Sequence, residues 1–199
     1  MNRSRVRNGL QADFKRFLRY FKIATKEIGE EYIQLPVAGK ETPDYRERVY
    51  CYELYHQLRL AIPDGFSYTL SGEVDKGRHP SICGETLKDT IPDFLLHDPG
   101  TMGRNLTVIE VKPIVTARRT DRVKRDLEKL CAFRCLDEGK YASAIYLIYG
   151  QGGNDALRLI RENVTTLDSA HEQIDLTLIE FYHHGKSGQP AERLDWSRS

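Results

Sequence analysis

LTVIEVK, residues 106–112, is the stretch on which the fold turns. Thr107, Val108, Ile109 and Val111 are β-branched, and no Gly or Pro interrupts them, so the run reads as a strand. Its apolar residues stand on both faces, as in a strand covered by a layer on each side. Two charges break the pattern. Glu110 and Lys112 are two apart and share a face, while Ile109 and Val111 point into the opposite layer. Upstream, IPDFLL at 91–96 reads as another strand, with Pro92 at its start or on an edge. The link at 97–105 holds Pro99, Gly100 and Gly103, as a hairpin-type connection should. If the two strands form a hairpin, Asp93 lies beside Glu110. Two carboxylates and one ammonium group then meet at the end of an apolar sheet.

Working outward, 66–74 reads as a further strand, and 142–149 (ASAIYLIY) as a buried one. Residues 176–182 (LTLIEFY) make a last strand. Helical periods run over 10–28, about 45–61, 121–138 and 155–163. In the first of these, Leu10, Phe14, Phe17, Leu18 and Phe21 make an apolar stripe. Lys15, Arg19, Lys22 and Lys26 make a second stripe, read as a solvated face. In 121–138 the apolar stripe is Val123, Leu127, Leu130 and Cys131, and Gly139 stands just past the end. The order is two helices, three strands, then helix, strand, helix, strand. That order predicts an α/β fold with a mixed sheet of about five strands flanked by helices, preceded by an N-terminal amphipathic helix. The expected organisation is an N-terminal helix and linker at 1–44, one domain at 45–182, and a loose tail at 183–199. His183 and His184 fall in that tail and read as solvated.

The chain has 199 residues, 30 Lys+Arg against 29 Asp+Glu, and a formal net charge of +1. At 40% hydrophobic and 10% aromatic it can bury a core without metal or disulfide staples. No apolar run approaches the ~20 residues of a membrane helix. The basic opening residues lack the apolar stretch of a signal peptide, so a cytoplasmic protein with free thiols is expected. Cys131 and Cys135 are four apart, with no second pair or nearby histidine to complete a zinc site. Both are expected as small buried residues. Near-neutral charge excludes a histone-like basic blanket but not a local basic patch.

Burying Asp93 and Glu110 costs several kcal/mol each unless they are paired or bind a metal. Clustered carboxylates suit a hard divalent cation such as Mg²⁺, which keeps waters and is often shared with substrate phosphate. A lysine beside them can orient or deprotonate a water, or offset charge as a phosphorane forms.

Pro92-Asp93, sixteen intervening residues, and Glu110-Val111-Lys112 together resemble the PD-(D/E)-x-K signature of the restriction-endonuclease-like nuclease superfamily. The resemblance covers roughly residues 45 to 150. It implies a restriction-endonuclease-like core and metal-dependent hydrolysis of phosphodiester bonds, in DNA ahead of RNA. It also implies Asp93 and Glu110 as ligands of Mg²⁺ (or Mn²⁺) and Lys112 as the catalytic lysine. Many relatives carry a glutamate on the helix before the first core strand, and Glu53 stands at a matching place as a further ligand. Glu73 or Asp75 is a further option, with register leaving the choice between them open. In some relatives a polar residue on the helix after the signature reaches the site, a place that Lys129 matches.

Around the start of the 121–138 helix stand Arg118, Arg119, Arg122, Lys124 and Arg125. Cations there oppose the helix dipole, which favours a phosphate-binding role. His56 and Gln57 share the face of Glu53, and His97 shares the strand parity of Asp93, so each is a weaker candidate beside the site. No P-loop, dinucleotide fingerprint or nucleophile elbow competes. No zinc-finger spacing or helix-turn-helix is evident either, so a protein partner or oligomer would have to supply sequence specificity. The alternative is a nuclease-like domain without catalysis, serving as a nucleic-acid-binding or protein-interaction subunit.

Overall fold

A computed structural model describes residues 3–74, 87, 91–101, 103–152, 155, 158, 160–162 and 174–195 (for 3–8, 117, 118 and 120, the backbone alone). The strand expected at 106–112 is the centre of the molecule. It is β3, Asn105–Pro113, and every residue in it is buried except the half-buried Lys112. Its neighbours are β2 (Phe94–His97) on one side and β4 (Ser143–Tyr149) on the other. The sheet has six strands in sequential order, completed by β1 (Thr69–Gly72), β5 (Glu180–His184) and β6 (Glu192–Arg193). The pairs β1–β2 and β2–β3 are antiparallel, β4 and β5 continue parallel to β3, and β6 returns antiparallel to β5.

Helices cover both faces. On one lie α1 (Arg3–Lys26), the short α2 (Glu30–Ile33) and α3 (Glu47–Ala61). Phe17 and Phe21 of α1 and Tyr50, Leu54 and Leu58 of α3 pack on Phe94, Ile109, Val111 and Leu147. On the other lies α4 (Thr120–Cys135), whose Val123, Leu127 and Leu130 pack on Leu95, Val108, Tyr146 and Ile148. The period of two in the strands thus feeds two separate apolar layers, each fully buried side chain contributing about 1.5–3 kcal/mol. The basic stripe of α1, Lys15 to Lys26, is exposed. Among the described residues no helix is long and apolar enough to cross a membrane.

Several expectations need correction. The sheet has six strands rather than about five. Residues from 183 onward are not loose through 195: His183 and His184 belong to β5, and β6 pairs with that strand. His184 is fully buried, its Nδ1 2.7 Å from the Tyr50 hydroxyl. Burial depresses its pKa to about 4. The amide of Ala191 donates to Thr25 Oγ1 in α1 at 2.9 Å, tying the C-terminal segment to the first helix. Residues 176–178 form a 3-10 turn instead of strand, because the Asp175 side chain accepts from the Thr177 amide at 3.0 Å. The first strand is confined to Thr69–Gly72 and stops at Glu73, whose φ is +48°. α4 ends at Cys135, short of 138, since the Tyr141 amide turns back onto the Phe133 carbonyl. Cys131 is buried but Cys135 is exposed. Of the helix expected at 155–163, residues 155, 158 and 160–162 are helical and the rest lie outside the described residues.

Candidate functional site

The register pairs Phe94 with Ile109, so one step back places Asp93 beside Glu110. Asp93 Oδ2 accepts from the Val111 amide at 2.7 Å, which pins its carboxylate to β3 just where β2 begins. Glu110 and Lys112 project from β3 toward α4, opposite to Ile109 and Val111. Lys112 Nζ stands 4.0 Å from Asp93 and 3.7 Å from Glu110. The three signature residues therefore converge.

Two acids absent from the sequence reading join them. Glu47 Oε1 lies 2.9 Å from Lys112 Nζ, and Asp126 Oδ2 lies 3.9 Å from it. Lys129 completes the cluster, 2.8 Å from Glu110 and 3.5 Å from Asp126. Four carboxylates thus surround two ammonium groups. Glu47 arrives through chain direction. α3 hands over to β1, which runs back beside it and ends at Gly72, next to Asp93. The first turn of α3, not its middle, therefore lies over the signature. An acid in a first helical turn is also favoured by the helix dipole. Asp126 and Lys129 are three apart on α4, one turn of one face. That spacing, on the helix that follows the signature, is the signal that could have found Asp126 beside Lys129.

Other candidates fall elsewhere. Glu53 accepts from Gln57 Nε2 at 2.6 Å and is not among the groups brought to Lys112. His56 is exposed on the same helix. His97 bonds Ser71 at 3.1 Å, at the far end of β2. Glu73 is exposed and stands 3.9 Å from Arg48, while Asp75 lies outside the described residues. Arg122 and Arg125 border a cleft of about 170 Å³ that Glu47, Lys112 and Asp126 also line. Arg119 is exposed, and the side chain of Arg118 lies outside the described residues. Lys124 pairs with Glu128 at 3.7 Å.

Burial sets the electrostatics. Glu110, 1% exposed, is pushed up to about 8, first by burial and then by the charge of Asp93. Burial likewise raises Asp93 and Asp126 against the pull of Lys112. For Lys112 burial works against the charged form, but Asp93, Asp126, Glu110 and Glu47 together outweigh it and hold the group above the ordinary lysine value. Lys129 behaves the same way, with Glu110 as the main attraction. Both lysines are therefore cations at neutral pH.

Among the described residues no three His, Cys, Asp or Glu side chains form a ready metal cage. Mg²⁺ does not demand one, since it is usually held by one or two carboxylates together with waters and substrate phosphate. Asp93 and Glu110 supply that pair of hard, adjacent oxygen donors; Asp93 lines the cleft beside α3, and Glu110 is buried behind it. Compared with family models, curated proteins and solved structures, the chain finds no match.

Proposed function

We propose that this cluster is the catalytic site of a metal-dependent nuclease, acting on DNA ahead of RNA, on a restriction-endonuclease-like core. One observation carries the reading: Lys112 Nζ lies within 4.0 Å of both Asp93 and Glu110, where two adjacent antiparallel strands meet. Support comes from the order around them, α3, three antiparallel strands, α4 and a parallel strand, which is the order the PD-(D/E)-x-K resemblance implies.

Asp93 and Glu110 would hold Mg²⁺ or Mn²⁺, with Glu47 placed at the rim. When bound, the ion supplies Lewis acidity and a water of lowered pKa. Lys112 keeps its proton, so its part is electrostatic. It donates toward a water or a phosphoryl oxygen and offsets the negative charge that builds on phosphorus. Lys129 anchors Glu110 and balances part of its charge. Arg122 and Arg125 border the cleft on the Lys112 side, where phosphate oxygens of the backbone would lie.

A second reading rests on the ion pairs themselves. Glu110 with Lys129 and Glu47 with Lys112 are already matched at 2.8 and 2.9 Å, as in a polar core that needs no ligand. That favours a nuclease-like subunit that binds nucleic acid or protein without cutting. Purified protein incubated with plasmid, linear and single-stranded DNA, and with RNA, in Mg²⁺ or Mn²⁺ separates the two. Cleavage lost in Asp93→Ala and Lys112→Ala, with folding verified by circular dichroism, is the expected result. Binding without cleavage by the wild type favours the second reading, and equal cleavage by all three proteins defeats the site assignment.

A further inference from the structure

On the other side of Glu47 and Asp93 opens a second cleft, of about 570 Å³. Its walls differ from those of the arginine cleft. Tyr52 and Tyr55, three apart on α3, present neighbouring rings, and Ile91 and Phe94 face them. Tyr52 is 65% exposed, the one exposed aromatic among the described residues. Tyr55 lies nearly parallel to Phe94, with ring centroids 6.4 Å apart and planes inclined by 19°. Arg48 also lines it, and stands 3.9 Å from Glu73, both side chains well exposed.

We infer that this cleft receives an unpaired nucleobase, so that the preferred substrate is single-stranded nucleic acid or a frayed or flapped end. The inference rests on the nuclease reading for the kind of polymer and adds which form of it is cut. The wall carries the argument. An exposed tyrosine offers a flat apolar face to an incoming planar group, and every base has such a face. A base inside a duplex is already stacked on its neighbours and must be turned out at a cost before it can reach a side wall. An unpaired base reaches it freely. Arg48 beside the rings adds a contact for phosphate or for the base face. The shared residues set the register: Glu47 and Asp93 line both the cleft and the carboxylate cluster, so a base in the cleft puts its own phosphate beside Asp93. The backbone would then leave past Arg122 and Arg125. Gly72 forms part of the cleft wall. A Cβ there would sit 3.6 Å from the Asp93 carbonyl and 3.8 Å from the Tyr55 and Phe94 rings, in ordinary contact. A larger side chain at 72 therefore fits the strand but occupies space the base needs.

The test uses the full chain and oligonucleotides carrying 2-aminopurine, with Ca²⁺ in place of Mg²⁺ to favour binding over cutting. Single strand and blunt duplex of one sequence are titrated with wild type, Tyr52→Ala, Tyr52→Phe and Gly72→Val. The expected result is tight, fluorescence-quenched binding of the single strand and weaker binding of the duplex. Tyr52→Ala weakens single-strand binding about 10-fold, the scale of one lost base stack, and Tyr52→Phe restores it. Gly72→Val weakens it too, with unchanged thermal melting. Binding unaffected by Tyr52→Ala, or a preference for duplex, overturns the inference. Duplex cleavage in Mg²⁺ indifferent to Tyr52 overturns the base cleft and leaves the nuclease reading standing. Single strand bound through Tyr52 but never cut overturns the nuclease reading and leaves the cleft. Absence of binding to any nucleic acid overturns both.

Discussion

At the scale of single residues, the contest is between Glu47 and Glu53. The family resemblance implies Glu53, in the middle of its helix, whereas the ion pair with Lys112 belongs to Glu47. Glu47→Gln is expected to lower cleavage about 10- to 100-fold, the usual effect of disturbing a partner of the reacting groups. Glu53 accepts from Gln57 one turn on, so Glu53→Gln should leave cleavage near wild type. Steady-state rates on one substrate decide it, and the reverse ranking would restore Glu53. Glu110 yields a pH prediction. Its carboxyl is raised to about 8, so below that pH it tends to hold a proton that a cation must displace. The Mg²⁺ concentration for half-maximal cleavage should therefore fall as pH rises through 8, measured by titrating Mg²⁺ on either side of it. A requirement independent of pH would mean that Glu110 is not a ligand. Convergence of Asp93, Glu110 and Lys112 was legible because a strand repeats every two residues and a hairpin pairs what it faces. Glu47 and Asp126 were not, because where a helix docks on a sheet is settled by packing at a distance.

At the scale of elements, α4 does two jobs with two faces. Val123, Leu127 and Leu130 are fully buried against the sheet, and Asp126 and Lys129 enter the charged cluster from the same helix. Leu127→Ala is expected to cost about 2–5 kcal/mol of stability, read as a lower urea midpoint. Because that cavity opens next to Asp126, cleavage should fall further than the unfolded fraction explains; an unchanged specific activity would show the cluster to be insulated from the packing beneath it. The strands at 106–112 and 142–149 were readable since apolar residues crowd both of their faces. The run 176–182 misled because its composition suits a strand, while one side chain, Asp175, closes a turn at its start. β6, two exposed residues long, carries no composition signal at all; only pairing with β5 makes it a strand.

At the scale of the whole molecule, the buried bond between His184 and Tyr50 joins the sheet to α3. His184 titrates at about 4 when folded, against 6.5 for an ordinary histidine. Between those values the unfolded chain binds more protons, so stability is complete above 6.5 and declines as pH falls toward 4. The full decline is about 3 kcal/mol from this group. His184→Gln should flatten that part of the pH–stability curve, followed by chemical denaturation across the window; an unchanged slope would assign the acid sensitivity to other groups. The contact between Thr25 and Ala191 has a consequence in time. The two residues are 166 apart in sequence. At ordinary synthesis rates roughly 8 to 33 s pass between their emergence. α3 covers one side of α1 early, but the Phe21 side waits for Tyr182, whose ring meets it edge-on at 5.4 Å. A nascent chain therefore carries an aromatic stripe in the open for most of its synthesis, and its yield in a cell should depend on chaperones that shelter such stripes.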